Sequence, residues 1–377
     1  MMAKQPKKKK FRAVFRKKHE SRTRHHDLTR EFHAHGFEDD ETVRGERVTG
    51  KGELTRKRTI VGETVEGEEA GLGIRFDIDE TGCKTGRVLS VHGLTCKVET
   101  QLHELYNCSV SGLLKSLYTD QRHVVAAGDV VLFRPEGTDA GFILRIEPRH
   151  GVLCRTSKGR QHVIVSNVDQ ILIVASVAEP VLKPNLIDRI LVTAEKSQIR
   201  PVICLNKVDL VDLANLQPIM GVYGQMGYQV LALSAETGFG LDELRELVQG
   251  QQSVVVGQSG VGKSSLLNAI EPGLHLRVKT VSAESQKGRH TTTTGRLIPL
   301  ADGGYVVDTP GIRQFQLWDV IPVEVAGFYR DVRPYVSLCR FPNCTHTHED
   351  DCAVKNAVAD GHLDARRYES YCHLLEP

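Results

Sequence analysis

The chain lacks any long hydrophobic run. No stretch approaches the roughly 18 consecutive apolar residues that a membrane span needs, and a run such as Ile171 to Ala175 has only the length of a strand. It also lacks an apolar leader: the first residues are dominated by Lys and Arg, which is not the pattern of a secretory signal. Aromatics make up 6% of the chain, with a single Trp. Cysteine is present but not as a disulfide framework. The nine cysteines are odd in number and mostly scattered, with three crowded between Cys339 and Cys352. These features exclude an integral membrane protein, argue against secretion, and point to thiols in a reducing compartment plus a metal site. The expected location is cytoplasmic.

What is present is an ordinary globular mixture, 40% hydrophobic and 25% charged over 377 residues. At roughly 100–200 residues per domain, that length suggests two or three domains. The net charge of +2 conceals an asymmetry: residues 1 to 30 carry 12 Lys+Arg against 2 Asp+Glu, and the remainder 37 against 45. A basic arm on a mildly acidic body suits a polyanionic partner, because Lys and Arg gain affinity by displacing counterions from phosphates. A solubilising tail is the plainer alternative. His19, His25, His26, His33 and His35 lie in or just beyond the arm without companion cysteines, and read as part of it.

Texture divides the chain further. Residues 1–82 are charged and poor in apolar side chains, so most of this extension is expected to be disordered or loosely attached. Residues 83–155 contain five short Val-, Ile- and aromatic-rich segments, beginning near Gly86, Thr95, Tyr106, Asp129 and Gly141. Five strands in so short a span suggest a closed barrel of the OB type, with an SH3-like barrel as the alternative. Residues 156–320 alternate strands with helices, the pattern of a mostly parallel sheet covered by helices on both faces. Strands are expected at Gln170–Val177, Pro201–Leu205, Gln229–Leu233 and Val254–Val256, and helices at Asn185–Ser197, Leu213–Met226, Leu241–Val248 and Gly262–Ile270. Residues 321–377 form a Cys/His-bearing α-helical module. The expected fold is therefore a multidomain α/β protein.

Gly257-Gln258-Ser259-Gly260-Val261-Gly262-Lys263-Ser264 matches G-x-x-x-x-G-K-[ST] between an apolar strand and a helix, with Ser265 following. Glycines let backbone N–H groups wrap phosphates, and the helix N-terminus favours negative charge. Lys263 would reach the β- and γ-phosphates, acting in binding and catalysis, and Ser264 would ligate Mg²⁺. Asn206-Lys207-Val208-Asp209 follows a strand; Asp209 can accept from both N1–H and the exocyclic amine of guanine, whereas adenine would leave it unpaired. Lys207 would lie along the base and Asn206 brace the loop. Ser234-Ala235-Glu236 resembles a second guanine loop, with the Ala235 amide meeting the base oxygen. Asp308-Thr-Pro-Gly311 matches D-x-x-G, in which Asp308 would hold Mg²⁺ through water and the Gly311 amide sense the γ-phosphate. Between it and the phosphate loop lies Gly288-Arg-His290-Thr291-Thr292-Thr293-Thr294. One of these threonines would complete the Mg²⁺ and γ-phosphate contacts, or the run is a plain polar loop. Ile312 stands where Ras-like proteins carry glutamine, so His290 is the local candidate to position the attacking water. A loop histidine without that role is the alternative. The guanine loops precede the phosphate loop, an order that circular permutation can produce.

Cys339-x4-Cys344-x-His346-x5-Cys352 offers a closed Cys₃His set suited to one structural Zn²⁺, with His348 a rival for the fourth position.

From about Gly86 to the C-terminus, these motifs in this order resemble the circularly permuted, small-ribosomal-subunit-dependent GTPases of the RsgA (YjeQ) family. The resemblance implies Mg²⁺-dependent GTP hydrolysis stimulated by the small ribosomal subunit, in late maturation of that subunit. It implies contact between ribosomal RNA and both the barrel and the zinc module. It favours Thr291, Thr292 or Thr293 as the Mg²⁺ threonine and His346 over His348 as the zinc ligand. No membrane partner is expected, and the chain is expected to be a monomer. The extension from about Phe32 to Gly82 is longer than the family pattern. The alternatives weighed are an RNA-binding module with a vestigial nucleotide site, another translation-associated GTPase, and a metabolic P-loop kinase. The kinase would not need Asn206, Asp209 or Asp308-x-x-Gly311.

Overall fold

The computed structural model describes residues 9–14, 57–64, 74–76, 80–111, 114, 124–157, 160–276, 295–308 and 321–375. The first three segments are β1 (Lys9–Val14), β2 (Lys57–Thr64) and β3 (Ile74–Phe76), which pair as an antiparallel sheet in the order β1-β2-β3. The expectation of disorder for the rest of the extension up to residue 79 falls outside the described residues. Phe11 stands opposite Ile60 in the register of the sheet, a relationship that a composition-based reading of a highly charged segment does not detect.

The five expected strands form β4 (Lys84–His92), β5 (Thr95–Thr100), β6 (Leu105–Val110), β7 (Val130–Glu136) and β8 (Ala140–Ile146). They pair β4-β5-β6-β8-β7, with β7 returning to β4 and β6 parallel to β8. That closed, partly parallel order is the OB arrangement. Alternating residues turn inward, so Val88, Val98, Tyr106, Val131, Phe133 and Ile143 fill the barrel; full burial of each of the larger ones contributes about 1.5–3 kcal/mol. Gly86 is required where β4 crosses β5, since a Cβ there would lie 2.5 Å from a Val98 methyl. A hairpin, β9 (Leu153–Ser157) and β10 (Arg160–Val165), follows the barrel.

The α/β unit comprises β11 (Gln170–Ser176), α1 (Pro184–Lys196), β12 (Arg200–Asn206), α2 (Gln217–Gln225), β13 (Gln229–Leu233), α3 (Leu241–Val248), β14 (Gln252–Val256), α4 (Lys263–Ile270), β15 (Arg296–Pro299) and β16 (Tyr305–Asp308). The helix expected over Leu213–Met226 is a 3-10 turn at Leu213–Leu216 that passes into α2, with Pro218 in the first turn, where its missing N–H is not needed. The sheet order is β13-β12-β11-β14-β16-β15; all neighbours are parallel except β15, which runs antiparallel to β16. Ile171 and Ile173 pack towards Ile187, Ile190 and Leu191 of α1, while Leu172 and Val174 pack towards Leu244 and Leu266 on the other face. Burial on both faces explains the continuous apolar run in β11. One rung, Arg296 opposite Ser90, joins β15 to β4, so barrel and α/β unit share a single eleven-stranded sheet.

The C-terminal module holds α5 (Pro322–Phe328), α6 (Arg333–Val336), α7 (Ala353–Ala359) and α8 (Ala365–Leu375) around Val325, Tyr329, Val332, Val354, Leu363 and Tyr371. Val192 of α1 enters this core. Among the described residues, no helix is long and apolar enough to cross a membrane.

Candidate nucleotide site and metal cluster

Parallel pairing aligns the carboxyl ends of β12, β13, β14 and β16 along one edge, the position where open α/β sheets bind ligands. Each expected nucleotide loop within the described residues leaves from that edge. The loop after β14 contains Gly257, Gly260 and Gly262, with φ of 148°, 85° and 93°. A Cβ on Gly257 would lie 2.1 Å from the Val174 carbonyl oxygen, and one on Gly262 would lie 2.3 Å from the Asn206 amide nitrogen. Only glycine fits at either position. Val261 is buried among the α4 side of the core, Gln258 and Gly260 are half-buried, and Ser259 is exposed. Lys263, Ser264 and Ser265 occupy the first turn of α4, whose N-terminus has no side-chain cap. Lys263 Nζ folds back to donate to the carbonyl oxygens of Gly257 at 2.8 Å and Gln258 at 2.7 Å. Glycine-shaped backbone, an uncapped helix N-terminus and a lysine over the loop form a cradle that fits phosphate and its Mg²⁺.

Asn206 ends β12 and is 1% exposed. Its amide nitrogen donates to the Val261 carbonyl oxygen at 2.8 Å, and its amide oxygen accepts from the Ala235 N–H at 3.4 Å. One side chain thus ties the loop after β12 to the loops after both β13 and β14. Lys207 takes a left-handed backbone, φ 67°, and its amine donates to the Glu179 carbonyl. Val208 is buried, and Asp209 sits in the 3-10 turn Val208–Leu210, where its Oδ1 accepts from the Ser234 hydroxyl at 2.5 Å. That same hydroxyl accepts from the Thr237 N–H at 3.1 Å. Asp209 is therefore held in one orientation through Ser234. Asp308 closes β16, beside β14 in the ladder. His290, Thr291, Thr292, Thr293 and Gly311 lie outside the described residues.

The C-terminal module gathers Cys339, Cys344, His346 and Cys352, with their ligand atoms all within 4.8 Å of one another. Cys339 Sγ lies 3.8 Å from Cys352 Sγ; His346 Nδ1 lies 3.3 Å and 3.5 Å from those two sulfurs. Four donors at zinc distances from one centre stand roughly 3.5–3.8 Å apart in a tetrahedron, so the cluster fits Zn²⁺. His346 reaches it through a left-handed backbone, φ 60°. His348 points away, with its side chain 80% exposed.

The family model described as RsgA GTPase matches residues 146–318. The small ribosomal subunit biogenesis GTPase RsgA of Ectopseudomonas mendocina is 38% identical over 89% of this chain and 94% of its own length. That of Thermotoga petrophila is 38% identical over 78% of this chain and 96% of its own length. The chain belongs to the RsgA family of GTPases. The crystal structure of YjeQ from Thermotoga maritima shares 35% identity, covers 78% of this chain and 97% of its own, and superposes with a TM-score of 0.65. YloQ, described as a circularly permuted GTPase, shares 29% identity over 79% of this chain and 96% of its own, with a TM-score of 0.62. The likeness to these structures gives this chain the circularly permuted GTPase fold, its sheet strands mostly parallel.

Sequence reasoning missed the contacts that join the metal module to the GTPase sheet. Arg367 of α8, 3% exposed, donates to Asp188 of α1, 1% exposed, and makes two bonds to Asp331, at 2.9 Å and 3.0 Å. Its guanidinium lies 4.4 Å from the Tyr329 ring centroid. Two carboxylates hold this guanidinium firmly in its charged form despite burial. One turn along, the hydroxyls of Tyr368 and Tyr371 donate to the carbonyl oxygens of His346 at 2.8 Å and Thr345 at 2.9 Å. Helix α8 is pinned to the metal loop on one side and to α1 on the other. The only local signal was a helix rich in Arg and Tyr.

Proposed function

We propose that GTP hydrolysis by this chain serves late maturation of the small ribosomal subunit and is stimulated by that subunit. The relatives' printed names support the biological setting. The bonds of Asn206 to Val261 and Ala235 are the observation that carries the chemistry, because they assemble three separated loops into one guanine-nucleotide site. Asp209 selects guanine; the backbone of Gly257 to Ser265 and the amine of Lys263 hold the phosphates; Ala235 meets the base oxygen. Ser264, Asp308 and one of Thr291, Thr292 or Thr293 hold Mg²⁺, which when bound neutralises charge developing on the phosphates. The Gly311 amide senses the γ-phosphate, and His290 positions the attacking water. Cys339, Cys344, His346 and Cys352 hold one structural Zn²⁺.

In this reading the chain divides into an N-terminal extension (1–82), a barrel (83–155), a permuted GTPase domain (156–320) and a zinc module (321–377). It acts as a cytoplasmic monomer. Ribosomal RNA meets the barrel and the zinc module. On the latter, the Arg340 guanidinium lies 5.5 Å from the ring centroid of the part-exposed Phe341, a pairing suited to unstacked bases.

Turnover measured with and without isolated small subunits tests the reading. Stimulation by subunits is expected, and Asp209→Asn should lose GTP turnover at least about 100-fold while accepting xanthosine triphosphate. Equal turnover with and without subunits would redirect the assignment to another translation-associated GTPase.

A further inference from the structure

The barrel and the GTPase sheet meet at a buried polar cluster centred on one rung of the ladder. Gln252, the first residue of β14, is the register partner of Tyr305, the first residue of β16. At their other ends these two strands lead to Gly257 and to Asp308. Arg87 of barrel strand β4 touches both members of the rung: its guanidinium donates to Gln252 Oε1 and lies 5.1 Å from the Tyr305 ring centroid. The Tyr305 hydroxyl donates to Oε2 of Glu99, a carboxylate of β5 that is 6% exposed, at 2.9 Å. Gln252 is fixed on its remaining sides, its amide nitrogen donating to the Ser166 carbonyl at 2.6 Å and its backbone N–H to Asp169 at 2.7 Å. The third strand leading from the nucleotide edge, β15, is itself paired to β4 through Arg296 and Ser90.

We propose that Arg87 and Glu99 are positioning residues for GTP hydrolysis. The barrel holds the rung Gln252–Tyr305 and thereby sets where the phosphate loop stands relative to Asp308. The inference rests on the reading of Gly257 to Ser264 and Asp308 as the phosphate and magnesium elements. Neither Arg87 nor Glu99 is on the ligand edge of the sheet, so their effect is on geometry and not on contact with nucleotide. Small displacements of reacting groups are costly in rate while leaving ground-state binding nearly intact. A partner that loads the barrel would act on turnover through the same rung.

The test uses the full chain and three measurements: affinity for a fluorescent GDP analogue, subunit-stimulated turnover, and amide exchange over 252–256 and 305–308. Arg87→Ala is expected to lower the turnover number about 10- to 100-fold, to change affinity less than about threefold, and to speed exchange in both segments. Arg87→Lys, which keeps a positive charge and a donor for Gln252 but not the guanidinium over the Tyr305 ring, should recover part of the loss. Wild-type turnover in Arg87→Ala overturns the proposal, as does a matched fall in affinity and turnover. If Arg87→Ala does not fold, Tyr305→Phe decides the matter: it keeps the ring and loses only the bond to Glu99, and unchanged turnover and exchange would overturn the proposal. Wild-type protein is assayed first. Failure of the wild type to turn over GTP would defeat the functional reading itself, whereas active wild type with an indifferent Arg87→Ala defeats only this inference.

Discussion

The Asn206 side chain and the Val261 carbonyl are joined by a 2.8 Å hydrogen bond across 55 residues of sequence, with Gly262 pressed against the same amide. The loops after β12 and β14 are consequently one mechanical unit. Gly262→Ala would place a methyl where the Asn206 amide now lies, in a backbone region that L side chains disfavour by roughly 1–2 kcal/mol. The expected outcome is loss of binding of a fluorescent GDP analogue by at least about tenfold, with the melting temperature of the barrel and C-terminal module little changed. Retention of wild-type affinity would show that the two loops are not coupled.

Arg367 and Asp188 form an ion pair with both side chains nearly inaccessible. Breaking such a pair from one side leaves a buried charge and costs about 3–5 kcal/mol. Arg367→Met should lower the unfolding free energy measured in urea by that amount, and Arg367→Met with Asp188→Asn should recover part of the loss. A single variant as stable as the wild type would contradict the burial described here.

Metal removal should be felt beyond the cysteines. With chelator, or in Cys352→Ser, the loop whose carbonyls receive Tyr368 and Tyr371 loses its anchor. Amide exchange is expected to rise first over 339–352 and then over α8, before the barrel responds. Zinc content by atomic absorption should fall from about one equivalent to none. Uniform exchange across the chain would show that the module has no separate stability.

The start of α8 carries a pH-dependent contribution. Asp364 accepts from the Arg366 side chain and from the Arg366 N–H, at 2.9 Å in each case for the shortest contact, and this bonding holds its carboxyl below the usual aspartate range. A depressed folded value means that the stabilisation is present above the unfolded value and is lost as pH falls through the folded one. Asp364→Ala should cost about 1 kcal/mol at neutral pH. The difference between variant and wild type should shrink as pH falls through the folded value of Asp364; a constant difference would assign the effect to packing instead.

How much of this was legible in the sequence depended on range. Glycines at 257, 260 and 262, followed by Lys263, announce a phosphate cradle because the backbone conformation itself demands them. The strands of the barrel and sheet were legible from β-branched runs, and β13 and α3 begin and end where the periodicity places them. The β1-β2-β3 sheet was not, because its pairing spans distant segments whose composition is dominated by charge. The Arg367–Asp188 pair and the Arg87–Gln252 bond join residues 179 and 165 positions apart. No local pattern encodes either, since an isolated arginine reads equally well as a solvated side chain. The choice between His346 and His348 was open on spacing alone and needed the backbone turn at His346.

The single rung between Arg296 and Ser90 has a consequence for any attempt to excise the GTPase portion. Without the barrel, Arg296 would lose its cross-strand partner, and Tyr305 would lose both Glu99 at its hydroxyl and Arg87 over its ring. Losing the partner of a part-buried polar group costs about 1–3 kcal/mol. A fragment starting near residue 156 is therefore expected to melt below the full chain, however complete its phosphate loop.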